Sequence, residues 1–235
     1  MRQLSDGGDL ILKCAFAFFF RHGREGAMTS AGVGVAVHLD GFTAAGLAAH
    51  RALAAAGART ANVAIVFAGI KHDDDEYAGV LSAVRRTLPG AKIIGCSATG
   101  VLTGAEEVEN ANAVAVQVLG GEPPLPTPVF LPGVRTDPRV AGAKLGQRAR
   151  EILGGDIDGA AVAVLVDPAE LDAADFVAGI ADSAPELLIT GAGASGGEQG
   201  CRVFWEESAH AGGVRQHRPR EERVPPRLGR ARDAG

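Results

Sequence analysis

At 235 residues, with 46% apolar and 22% charged residues, the chain has the composition of a soluble globular protein with one large domain or two small ones. A net charge of −5 gives no basic footprint for nucleic acid, and three cysteines without paired spacing offer neither a disulfide framework nor a zinc site. Aromatics make up only 5%, so the core must be built from Val, Ile, Leu and Ala, and the sparse cysteines suit a reducing cytoplasm.

Residues 1–27 do not match the pattern of the remaining chain. Residues 10–20 are apolar but interrupted by Lys13, and some eleven residues fall short of the roughly 20 that a membrane helix needs. Asp6 and Asp9 stand where a signal peptide carries positive charge. The segment reads as an extension outside the fold, ahead of a natural start at Met28.

From Val33 the pattern is regular. Val33, Val35 and Val37 alternate with small residues as a strand, and residues 43–56 form an Ala-rich helix closed by Gly57. Residues 62–68 (NVAIVFA) are a continuous apolar run, the mark of a strand covered on both faces. Asp73, Asp74 and Asp75 supply a cap and an acidic first turn for a second helix, so His72 beside them needs no metal. Tyr77, Val80, Leu81, Val84 and Leu88 form the apolar stripe of that helix, which Pro89-Gly90 stops. A strand over 91–95 runs into the turn Gly95-Cys96-Ser97-Ala98-Thr99-Gly100, a loop to Asn110 comes next, and residues 112–119 (NAVAVQVL) are the next strand.

After a proline-rich linker over 120–128 the series repeats. A short strand over 129–131 precedes Asp137-Pro138, a cap with proline at the first helical position, and the helix ends before Gly154-Gly155. Residues 160–166 (AAVAVLV) are the second buried strand, Asp172 caps a helix that Pro185 ends, and a strand over 187–190 leads into a second glycine turn containing Gly193 and Ser195. A last strand over 201–205 completes the copy. Residues 206–235 hold seven Arg and one Leu and read as a disordered or aberrant tail.

The expected fold is therefore α/β, with two tandem β-α-β-α-β-turn-β units (33–119 and 128–205) in one domain over 28–205. Strands joined through helices pair in parallel, the last strand of each unit returns antiparallel, and the result is mixed sheets covered by helices.

A Gly, Ser and Thr turn at the carboxyl end of a parallel strand is where open α/β sheets place ligands. Glycines expose backbone N–H groups and hydroxyls add donors, so Gly95, Cys96, Ser97, Thr99, Gly100, Gly193 and Ser195 are the candidate ligand-binding residues. The expected ligand is a small molecule held through a carboxylate. Gly193-Ala194-Ser195-Gly196-Gly197 matches the hydrolase elbow G-x-S-x-G, but that motif needs a helix after the turn, and here a strand is expected. A hydrolase or acyl-transfer enzyme using Ser195 or Cys96 is the alternative reading, and a purely structural or protein-interaction domain is a third. Glu106, Glu107 and Glu109 read as solvated loop acids, and no metal or cofactor is expected.

The strand VAIVFA, the helix ending in Leu88-Pro89-Gly90, the run from Lys92 to Gly100, the strand over 113–119 and the second turn at 191–197 together resemble the N-terminal FIST domain. The resemblance implies a non-catalytic cytoplasmic sensory module that binds a small ligand such as an amino acid and works with a signalling protein. It carries no catalytic residues over. Such proteins usually continue into a C-terminal FIST domain, and on that resemblance this chain is expected to be truncated. Neither nucleic acid nor membrane is an expected partner.

Overall fold

The computed structural model describes residues 14–21, 29–69, 74–109, 111–121, 126–132, 134, 136–168, 171–196, 200–206 and 208–211. The first strands and helices are β1 (Cys14–Arg21), β2 (Thr29–Val37), α1 (Gly41–Ala56), β3 (Val63–Gly69), α2 (Asp74–Thr87) and β4 (Lys92–Ser97). A short hairpin, β5 (Gly100–Leu102) and β6 (Glu107–Glu109), leads to β7 (Ala113–Gly121). The second half comprises β8 (Thr127–Pro132), α3 (Pro138–Ile152), β9 (Ala160–Val166), α4 (Ala173–Ser183), β10 (Leu188–Gly193), β11 (Arg202–Trp205) and β12 (Ser208–Ala211).

Local chemistry sets the helix ends. Asp137 and Asp172 each accept a hydrogen bond from the backbone N–H three residues on, at 3.0 Å, and so cap α3 and α4. Asp40 does the same for α1, and its bonds from the Thr43 hydroxyl and N–H hold its carboxyl below the usual carboxylate range. Gly57 ends α1 in the left-handed conformation. The cap of α2 and its residues Asp73 and His72 lie outside the described side chains.

The strands form a six-stranded sheet, order β12-β11-β4-β3-β7-β2, and a four-stranded sheet, order β10-β9-β1-β8. Period-two alternation builds the layers. On β3, Ala64, Val66 and Ala68 face α1 and α2 in one core, while Val63 and Ile65 face the other sheet in a second core with Ile94, Leu165 and Val203. On β9, Val162 and Val164 face α3 and α4. The molecule is thus a four-layer α-β-β-α sandwich with mixed sheets covered by helices. Among the described residues no helix is long and apolar enough to cross a membrane.

Three expectations change. The stretch 1–27 is not wholly an extension outside the fold, because its segment Cys14–Arg21, β1, is inserted in the four-stranded sheet, antiparallel to β8 on one side and to β9 on the other. The alternation Ala15-Phe16-Ala17-Phe18 has strand period and finds two strand edges to pair with. The two units are also not self-contained. In the first half β7 stands between β3 and β2 in the order β4-β3-β7-β2, and the second half shows the same directions in β10-β9-β1-β8 with β1 in the place of β7. The strand at 202–205 leaves its own half and pairs antiparallel with β4. Finally, the tail joins the fold as far as Ala211, since β12 pairs with β11. Glu206 turns between them with φ 54°, donating its N–H to Ile93 O at 2.8 Å and its carboxylate pairing with Arg85 and Lys92. Residues 1–13 and 212–235 lie outside the described residues.

Candidate functional site

The glycines expected in turns stand in strands. β4 runs on through Gly95, Cys96 and Ser97, and β10 through Gly191 and Gly193. The reason is close approach. A β-carbon on Gly95 would lie 1.9 Å from the Val66 carbonyl oxygen, and one on Gly191 would lie 2.0 Å from that of Val164. Each glycine faces the middle of its neighbouring central strand, so only glycine lets the strands pair there.

Beyond these strands the two halves meet. Ser195 donates its N–H to Ser97 O at 3.1 Å, and Thr99 N–H donates to Ser195 Oγ at 3.0 Å. The Thr99 and Ser195 hydroxyls stand 3.5 Å apart. Ala98 N–H bonds to Ala68 O at 3.0 Å and Ala194 N–H to Val166 O at 2.7 Å. The N–H groups of residues 98, 99, 194 and 195 are therefore bonded within the protein itself. They do not converge on a ligand carboxylate, as the sequence led us to expect. The structure brings Thr99 and Ser195 together in one seam, with Thr99 exposed and Ser195 half-buried.

Ser97 is fully buried and its Oγ accepts a hydrogen bond from Arg202 N–H at 2.8 Å, which fixes the start of β11 on β4. Replacing Ser97 with Ala orphans that buried donor. The expected loss is about 1–3 kcal/mol of stability in a denaturant titration, with no accompanying effect on ligand binding. A change below about 0.5 kcal/mol would show that the bond does not hold the strand.

Cys96 is buried, and burial pushes its thiol up to about 12, so it is a protonated core residue at neutral pH rather than a thiolate. Cys201 donates its thiol to Ala194 O at 3.1 Å, and burial first, then the Asp167 carboxylate, push its pKa up as well. Ser195 is followed by β11 rather than by the helix that a nucleophile elbow requires. Among the described residues no group of three His, Cys, Asp or Glu side chains is placed to hold a metal.

The sequence did not single out two buried charges, Asp167 at the end of β9 and Arg202 in β11. Each follows or joins an apolar run with no local sign that its side chain would be enclosed. Two open spaces flank the seam. A recess of about 210 Å³ is lined by Thr99, Gly100, Val101, Leu102, Glu107 and Glu109. A larger, mostly apolar groove of about 500 Å³ lies between α4 and β10, and Gly193 is on its wall.

The chain is 36% identical over 92 residues to two uncharacterised proteins of Mycobacterium tuberculosis, from strains CDC 1551 / Oshkosh and ATCC 25618 / H37Rv. The match covers 39% of this chain and 24% of each relative, so the chain spans about a quarter of the length of the curated relatives it matches. The family model of the FIST N domain matches residues 62–215, from just before β3 to beyond β12. That is more than half of the sequence, and it includes the segment 206–211 that composition alone assigned to the tail. The chain belongs to the FIST family.

Proposed function

We propose that the chain is a cytoplasmic sensory module that binds a small ligand such as an amino acid at the seam and passes the event to a signalling protein. The observation that carries this reading is the Thr99–Ser195 link. Thr99 borders the recess on one side and joins the second half of the molecule on the other. A ligand that engages Thr99 thereby acts on the bond between the two halves, which is what a sensor needs. Glu107 and Glu109 line the same recess, and two carboxylates favour a ligand with an ammonium group. The Thr99 hydroxyl supplies an acceptor and a donor beside them.

The test is a thermal-shift screen of the full chain with amino acids, their N-acetylated forms and simple carboxylates. A ligand at about a hundred times its Kd adds about 2.7 kcal/mol, which for a chain of this size is roughly 5–10 °C. The expected hit carries a free ammonium, and Thr99→Val abolishes its shift. An N-acetylated compound that shifts the melting curve equally, or a hit indifferent to Thr99→Val, would move the site away from the recess.

A further inference from the structure

The first half of the molecule shows what closes the outer edge of its glycine strand. β11 lies antiparallel on β4 with Phe204 directly opposite Gly95. The Phe204 side chain is fully buried, and its ring stands 5.5 Å from that of Tyr77 on α2. An aromatic side chain set against a strand glycine fills the space the missing side chain leaves.

The second half repeats the setting. Gly191 stands opposite Val164 as Gly95 stands opposite Val66. Phe176 is the fourth residue of α4 as Tyr77 is the fourth of α2, and both are buried. Among the described residues, however, β10 is an edge strand, and five of its six residues are exposed. Where the first half holds Phe204, the second has the groove of about 500 Å³, lined by Val164, Phe176, Val177, Ile189 and Gly191. Val177, on the wall of this groove, is 44% exposed. An edge strand with an apolar groove along it is a template for strand addition.

Charge fixes the direction and the chemistry of what would pair there. Asp172, the N-cap of α4, and Asp175 in its first turn are both exposed next to Leu171, Ala173 and Phe176 of the groove, with Arg139 3.9 Å from Asp175 as the one cation paired with either carboxylate among the described residues. That turn adjoins the carboxyl end of β10, where Gly193 lines the same groove. In β11 the residue two before Phe204 is Arg202. An antiparallel segment with an aromatic residue opposite Gly191 has its residue two earlier opposite Gly193, facing those aspartates.

We propose that the open edge of β10 receives an extended segment of a partner protein, paired antiparallel, with an aromatic side chain opposite Gly191 against Phe176 and a basic residue two positions before it. The sequence Arg202–Trp205 of this chain has that pattern and serves as the probe. A capped synthetic peptide carrying it is titrated into the isotope-labelled full chain and followed by amide chemical shifts.

The expected result is saturable shifts confined to β10 and the first half of α4. Replacing the peptide's Phe with Ala, or Val177→Glu in the chain, should each weaken binding at least about tenfold. Val177 is exposed enough for that substitution to leave folding intact, and the peptide change does not touch the chain at all. Shifts centred on β4, which would mean displacement of β11, overturn the proposal. So does an absence of binding at millimolar peptide, an affinity unchanged by both substitutions, or dimerisation of the chain alone through β10.

Discussion

Deleting residues 1–27 is expected to abolish cooperative folding of the four-stranded half of the chain. β1 is an interior strand, paired at six positions with β8 and at seven with β9. Its removal leaves both neighbours with unsatisfied backbone edges inside the same sheet and separates β8 from β9. Net contributions near 1 kcal/mol for each lost ladder bond add up to about the 5–15 kcal/mol that stabilises a whole domain. The measurement is a thermal melt of the 28–235 fragment followed by circular dichroism beside the full chain. The fragment should lack a cooperative transition for the four-stranded half, and co-expression of residues 1–27 as a separate peptide should restore it, since strands are added in trans by the same backbone bonds. A fragment that melts within about 2 °C of the full chain would show that β1 is dispensable.

The sequence discloses what is decided locally. Asp137, Asp172 and Gly57 end helices through bonds made within four residues, so their positions are legible before any fold is known. The apolar runs at 62–68 and 160–166 are central strands because a strand buried on both faces has no place for a polar residue on either. Which strand fills a gap in a sheet is a different matter. β7 and β1 occupy corresponding places in the two sheets, yet one comes from within its own half and the other from the N-terminus. Alternation in Ala15-Phe16-Ala17-Phe18 states that a strand is there and is silent on its partner.

The candidate site shows the same division. The glycine-rich segments were legible as the special places in the chain, since Gly95 and Gly191 are required by close backbone approach. Their orientation was not. Ser97 reads as a turn hydroxyl only if the strand stops at Gly95, and it runs two residues further, which turns that hydroxyl inward to Arg202. The meeting of Thr99 with Ser195, 96 residues apart, depends on how the two sheets stack. No local pattern encodes it.

Substitution of Gly95 by Ala is expected to cost about 4 kcal/mol, and the same change at Gly191 about half as much. The local geometry is nearly identical. The new β-carbon would meet the carbonyl oxygen of Val66 at 1.9 Å or of Val164 at 2.0 Å, and the φ angles of 157° and 153° lie where an L side chain is rarely found. The difference lies in what can move. β4 is held between β3 and β11, with Phe204 buried against it, so relief at Gly95 requires backbone displacement of a central strand. β10 is bounded by β9 on one side alone among the described residues, and it can shift outward as a unit. Urea titrations of both variants measure this directly, because a loss of midpoint at constant slope reports stability. Equal losses at the two positions would mean that the outer edge of β10 is held as firmly as that of β4. A loss below about 1 kcal/mol at Gly95 would mean that the close approach to Val66 does not constrain the sheet.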